Sequence, residues 1–333
     1  MKTYKVIFDV SGCFTHIGAD TAGIGVENVS EWVHSDTLFS AIIHAFSRKN
    51  KFGDSQKLIQ QFLDYDNQLN KLPFRCSSVF LGKDDLFFVP KPKLPLPDHY
   101  DWSDLFKVKF ISLENLYKWL QLDEMEWDRD IERDKFIKDV QEDWDRYRQL
   151  FITRVRAVNA KDRILNQTSV FHRGETIYAD GTYMYFFMDI NDGYEDRIRD
   201  AIQFLTDYAG FGGEINIGYS KMKSVSWQPF AFSNHPGKNN AYLLSLYPIY
   251  SEIDWENSWY DIINRKSRFN SPYFGTQLKK KAVEMISEGS CLSSLPSPGR
   301  LIDVTPDRWF DQEKKVKNWH RIHRNGMGYW IGF

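Results

Sequence analysis

Residues 210–223 read GFGGEINIGYSKMK, and four of the first nine are glycine. Ile198, Ala201, Ile202, Leu205 and Tyr208 recur at helical spacing just before them, so a helix over about 194–209 leads into the glycines. Behind them, YSKMKSVSW at 219–227 alternates and predicts a strand. Gly210 fits a left-handed helix C-cap. Gly212, Gly213 and Gly218 exceed what capping needs. Two readings stay open. Bare backbone lets N–H groups approach an anion, with Lys221 and Lys223 sharing one face of the next strand. Alternatively, the stretch is a tight loop packed under a neighbouring strand.

The familiar nucleotide signatures do not fit. A dinucleotide turn needs GxGxxG between strand and helix, and here Ile215 replaces the third glycine and the order is helix first. A phosphate-binding P-loop needs a closing GK[ST], which is missing.

Outward from the loop, the chain alternates short strands with two helices. YKVIFDV at 4–10 predicts the opening strand. SDTLFSAIIHAF at 35–46 predicts a helix, with Ser35 and Asp36 as cap-type residues and Leu38, Ile42, Ile43 and Phe46 on one face. A second helix is expected over 55–69. SVFLGKDDLFFVP at 78–90 reads as two strands around a GKDD turn, and KPKLPLP at 91–97 as an extended connector. Residues 112–149 read as a highly charged helical insertion, its acid–base pairs suiting a solvated face. FITRVRAV at 151–158 predicts a strand, and QTSVFHRGETIYAD at 167–180 a hairpin turning near His172–Gly174. TYMYFFMDI at 182–190 is a strongly apolar strand. The order is compatible with a βαββαβ ferredoxin-like unit enlarged by insertions. After the turn-rich NHPGKNN at 234–240, AYLLSLYPI, a short helix near 255–264, KKKAVEMIS, GRLIDV and GYWIGF suggest a smaller α+β module. The expected fold class is α+β, two ferredoxin-like (RRM-like) modules with a projecting hairpin. The expected domains are 1–232, with a helical insertion at about 100–149 and a hairpin thumb at about 157–181, and 233–333.

Composition narrows the functional classes. A chain of 333 residues can hold two domains. Its net charge of −2 is not that of a free-standing nucleic-acid binder, so any nucleic acid must meet a local basic surface. Residues 154–173 supply one: Arg154, Arg156, Lys161, Arg163 and Arg173 stand against Asp162 alone. Arginine grips phosphates with its planar fork and stacks on bases. Phe171 and His172, at the expected hairpin tip, could wedge against an unstacked base. The bland alternatives are core packing for Phe171 and plain surface charge for the arginines. Lys279–Lys281 and His320–Arg324 are further basic clusters that suit RNA or an acidic partner. Cys13, Cys76 and Cys291 are scattered and odd in number, which argues against a disulfide framework or zinc knuckle and for a reducing cytoplasm. No run reaches the length of a membrane span. No DxD, HEXXH or HD pair points to a metal, and no cofactor is expected.

Four stretches together carry a resemblance: HIGADTAG with HSDTLFSAII (16–43), TRVRAVNAKDRILNQTSVFHRGETIY (153–178), the glycine loop (210–223) and KKKAVEMISEGSCL (279–292). With the ending HRNGMGYWIGF, their order is similar to that of RAMP-superfamily proteins, and more narrowly to subunit four of type III-A CRISPR (Csm) effector complexes. That resemblance implies a non-catalytic RNA-binding subunit. It holds the 5′ handle of crRNA, docks on the large polymerase-like subunit and on the first backbone subunit, meets target RNA indirectly, and bends the guide with a β-hairpin thumb. It also implies that His16, Gly18, Ser35 and Thr37 flank the handle, although Ser35 and Asp36 alone are more simply a helix cap. Ile215 stands where the family often carries Arg after Gly-Gly-Glu. Some relatives cleave precursor crRNA with a histidine acid or base, so a metal-independent endoribonuclease is the alternative reading. An unrelated metabolic enzyme or scaffold is a third.

Overall fold

The opening strand forms as expected, β1 (Lys2–Asp9), and ends in a sheet whose edges and centre follow the hydrophobicity of its members. The computed structural model describes residues 1–18, 27–96, 102–121, 130–162, 164, 166–232, 239–250, 252–271, 274–316 and 319–333. The expected loop over 16–28, the 100–149 insertion and the break at 234–240 therefore lie partly outside the described residues, and Arg163 lies wholly outside them.

Helices α1 (Ser35–Lys49) and α2 (Phe52–Leu63) follow β1. The GKDD hairpin is β2 (Phe80–Lys83) and β3 (Leu86–Pro90), with β4 (Phe110–Ser112) beyond it. Two helices come next, α3 (Leu113–Trp119) and α4 (Asp130–Arg148). The long hairpin is β5 (Phe151–Lys161) with β6 (Thr168–Tyr178). It leads to β7 (Thr182–Ile190), α5 (Glu195–Phe204) and β8 (Ser224–Pro229).

The principal sheet runs β8-β1-β7-β2-β3-β4, and its described pairs are antiparallel. The most apolar strand, β7, takes the middle because both its faces are covered: it is buried at all but one position. Val6 lies opposite Phe186 and Phe8 opposite Met184, so both strands send the same side chains into one core. α1 and α5 pack against each other, with Leu38, Ile42, Ile198 and Ile202 fully buried. The charged helix α4 is not solvated all round: Phe136, Val140 and Tyr147 form an inner stripe, and Tyr147 stacks on Phe110 at 4.2 Å.

Several expectations need correction. The hairpin does not turn at His172–Gly174. β6 runs straight through these residues, and the turn falls between Lys161 and Thr168. Gly174 mimicked a turn because the Glu27 carbonyl oxygen lies 2.1 Å from where its Cβ would stand, a close approach that only glycine permits. Residues 219–223 precede β8 rather than belonging to it, since Ser220 and Lys223 donate backbone N–H bonds to Phe14 and Asp9 instead. The helix expected near 255–264 is instead the strand Ile262–Arg265. Beyond residue 239 the described residues form small antiparallel sheets, among them 299–303 with 323–327, and a single four-residue helix, Asp307–Phe310. A second βαββαβ order is therefore not present there. This carboxy-terminal part is sewn to the principal sheet: Ser78 N–H donates to Leu244 O at 2.8 Å and the Tyr329 hydroxyl to Asp189 at 3.0 Å. Tyr242, Leu244 and Tyr329 join the same apolar core as Phe187 and Met188. No helix among the described residues is long and apolar enough to cross a membrane.

Candidate nucleic-acid interface

Strand alternation decides which hairpin side chains act together. Directly opposed residues share a face, and Arg154 lies opposite Glu175, Arg156 opposite Arg173, and Val158 opposite Phe171. Arg154, Arg156, Arg173 and Phe171 thus fall on one face. His172, opposite Ala157, falls on the other, exposed and 3.9 Å from Glu27. The expectation that Phe171 and His172 share a hairpin tip is corrected: both sit mid-strand and point opposite ways.

The arginine face looks across a cleft of about 410 Å³ at Phe14, Ile217 and Tyr219. Tyr219 comes from the end of the glycine loop, so the two stretches singled out in the sequence do converge. Its hydroxyl donates to Glu175 at 2.5 Å, and its ring meets Phe14 edge-on at 4.8 Å. Arg154 holds the other oxygen of the buried Glu175. Burial pushes the Glu175 carboxyl up, but the Tyr219 hydroxyl and the Arg154 guanidinium outweigh it and hold the group below the usual carboxylate range. Arg173 lies over the rings of Phe171 (5.5 Å) and Tyr219 (5.7 Å) and pairs with Glu214 at 3.0 Å. Its Nε is buried without a hydrogen-bond partner. A stacked Arg–aromatic floor with exposed guanidiniums at the rim suits an unpaired base and its phosphates. Tyr219, Glu175, Glu214 and Phe14 were missed in the sequence. The alternation of 219–227 gave no sign that Tyr219 precedes the strand and turns towards the hairpin.

The glycine loop itself is partly the packed loop of the bland reading. Gly210 has φ 61° and ψ −174°, a conformation close to glycine-only rather than the left-handed cap expected. Gly213 N–H donates to the His16 carbonyl at 2.8 Å, and a Cβ on Gly212 would stand 2.8 Å from that same oxygen. His16 is in turn fixed by Nδ1–H donating to the Gly174 carbonyl at 2.8 Å. The loop is not sealed: Gly212, Asn216, Lys221 and Lys223 are exposed, and Gly218 faces open space.

On its other side the loop borders a second cleft, of about 400 Å³, where Gly18, Thr37, Gly210, Gly212 and Gly213 come together. Ser35 is not with them. It is fully buried, and its hydroxyl accepts the Leu246 N–H at 3.1 Å. Neither Ser35 nor Asp36 caps α1: the N-cap is His34, whose imidazole meets Glu288 at 3.0 Å rather than a helix N–H. Asp36 is gripped by Arg265 at 2.8 Å and by Arg324, all three buried. Burial pushes its carboxyl up, but the two guanidiniums prevail and hold it far below the usual carboxylate range. Among the described residues no cluster of His, Cys, Asp and Glu could hold a metal ion.

Comparison with known proteins gives the class of the fold. A chain of a Csm3–Csm4 subcomplex from a type III-A CRISPR-Cas interference complex superposes with a TM-score of 0.62 at 16% identity, over 100% of this chain and 99% of that one. A chain of a Csm1–Csm4 cassette in complex with cA4 gives 0.58 at 16% identity, over 99% and 97%. A chain of a type III-B Cmr-beta complex bound to cognate target RNA and AMPPnP gives 0.52 at 12% identity, over 95% and 90%. No curated protein matches the chain. The chain shares the fold of these type III CRISPR subunits. Residues 236–333 match the family model of the CRISPR Csm4 C-terminal domain, the family that the sequence motifs resemble.

Proposed function

We propose that this chain is the non-catalytic cap of a type III-A effector complex, holding the 5′ handle of crRNA and bridging the large polymerase-like subunit to the first backbone subunit. The observation that carries this reading is the cleft in which Arg154, Arg156, Arg173 and Phe171 of the hairpin face Tyr219 of the glycine loop. The strand order β8-β1-β7-β2, with α1 and α5 as its crossovers, supports a ferredoxin-like module over residues 1–232. The hairpin, exposed along most of β5, acts as the thumb that bends the guide. Residues 233–333 form the smaller module. The handle runs over His16, Gly18, Thr37, the glycines at 210, 212, 213 and 218, and Lys221 and Lys223. Arg163 adds charge at the thumb. Affinity comes mainly from phosphates, and specificity from unpaired bases read on their edges. The complex works in the cytoplasm and meets target RNA through the guide.

The test is crRNA recovery from the purified complex carrying Arg154→Glu and Arg156→Glu. Recovery should fall about tenfold or more at physiological salt, with the isolated chain leaving precursor RNA intact. Unchanged recovery overturns the reading. Metal-free cleavage abolished by His16→Ala points to the endoribonuclease instead.

A further inference from the structure

The second cleft has a wall that the handle reading does not use. Its carboxy-terminal side presents Arg265, Arg268, Lys280 and Arg324, and the carboxylate lining it, Asp36, is already held by Arg265 and Arg324. Arg268 and Lys280 are the surplus. Lys280 is half-buried, and its ammonium is held below its usual range first by burial and then by the Arg324 charge. The Asp36 carboxylate relieves this repulsion only in part, and an anion placed between Arg268 and Lys280 offsets more of it.

We infer that Arg268 and Lys280 hold a phosphodiester of single-stranded RNA in this cleft, against the glycine main chain at 212–213, so that bound RNA ties the carboxy-terminal part of the chain to the principal sheet. This rests on the RNA-binding reading above. Three observations favour RNA over an acidic protein segment. The cleft shares the glycine loop with the arginine–aromatic cleft, so one strand crossing the loop reaches both. The main chain of the glycines at 210, 212 and 213 lines the same cleft, so polar backbone stands beside the cations. Among the described residues its apolar lining is Ala41, Phe211 and Ile215, without the Trp or Tyr anchor that dominates protein interfaces. Because Arg268 and Lys280 come from one part of the chain and the glycines from the other, each phosphate bound adds a tie to the shared core and the Asp36 triad that already join the two parts.

The experiment compares three full-length proteins, wild type, Arg154→Glu/Arg156→Glu and Arg268→Glu/Lys280→Glu, binding a fluorescent single-stranded RNA over a series of salt concentrations. Neither Arg268 nor Lys280 forms an ion pair with Asp36, although Lys280 feels the charges of that triad, and circular dichroism with urea unfolding checks that the variants fold. The Arg268/Lys280 variant should bind about tenfold more weakly, with a salt slope lower by about one. RNA carrying 4-thiouridine should cross-link to residues 265–280 of the wild type, a readout independent of the variants. If the hairpin variant weakens binding while the Arg268/Lys280 variant binds as wild type and 265–280 stay unlabelled, this inference falls and the handle reading stands. If neither variant weakens binding, the handle reading falls with it. If the Arg268/Lys280 variant loses binding of poly-glutamate but not of RNA, the cleft is a protein site and the inference is overturned.

Discussion

Arginine meets carboxylate at two depths in this molecule. Arg265 and Arg324 hold Asp36 where the side chains are 8%, 4% and 4% exposed, whereas Arg154 holds Glu175 with its own side chain 56% exposed. The buried triad has no water to fall back on. Each charge there is tolerated because the others are present. The hairpin arginine can exchange its carboxylate for a phosphate at lower cost, because its guanidinium is in solvent and the Tyr219 hydroxyl still donates to the buried Glu175. One set therefore fixes where the carboxy-terminal part sits, and the other is available to a ligand.

The largest effect that could break this contrast is in stability. Asp36→Ala takes the shared carboxylate from two buried guanidiniums, and should cost about 3–5 kcal/mol in urea unfolding. A cost near that of a surface pair, below about 1 kcal/mol, would make the two depths equivalent. The pH dependence sharpens the point. Asp36 has a folded pKa depressed below its unfolded value near 3.9, so its contribution is complete above that value and is lost as pH falls below it. Wild-type stability should drop steeply from about pH 4 downward, and Asp36→Asn should flatten the drop.

The complementary experiment is on the hairpin. Arg154→Ala with Arg156→Ala should cost about 1–2 kcal/mol of stability, less than Asp36→Ala because Tyr219 still donates to Glu175, while lowering the salt slope of RNA binding by about one per lost phosphate contact. A stability loss matching that of Asp36→Ala would mean that the hairpin arginines are structural.

Much of this was legible in the sequence, and the misses share a cause. The amphipathic α1 and α5, the apolar β7 and the arginine-rich strand all declare themselves through periodicity, which is local. Phe171 and Arg173 were read to the right hairpin, yet the turn was misplaced because Gly174 looks like a turn residue. Its real reason, the Glu27 carbonyl pressed against it, lies about 150 residues away in sequence. Asp36 was read as a cap for the same reason: Arg265 and Arg324 are remote, and no local pattern announces a partner that distant. Tyr219 belongs to the same class, since its role depends on Glu175 across the cleft. What periodicity cannot show is which remote group fills the space beside a residue, and both clefts are built from such pairings.

The glycine loop allows the finest comparison, because two of its glycines share a φ but not a neighbourhood. Gly212 and Gly218 have φ of 99° and 97°. Glu214, between them, takes φ 60° with a full side chain, so positive φ alone does not demand glycine here. At Gly218 an added Cβ meets nothing within 4 Å, and Gly218→Ala should cost about 1 kcal/mol of backbone strain and leave RNA affinity nearly unchanged. At Gly212 the Cβ meets the His16 carbonyl oxygen, a backbone atom held by the Gly213 N–H that cannot swing aside. Gly212→Ala should therefore cost about 1 kcal/mol more than Gly218→Ala in thermal or urea unfolding. It should also weaken RNA binding severalfold, because His16 stands between the loop and the hairpin carbonyl of Gly174. Equal costs at the two positions would show that the loop yields to the clash, and that its packing against residues 14–18 does not set the shape of either cleft.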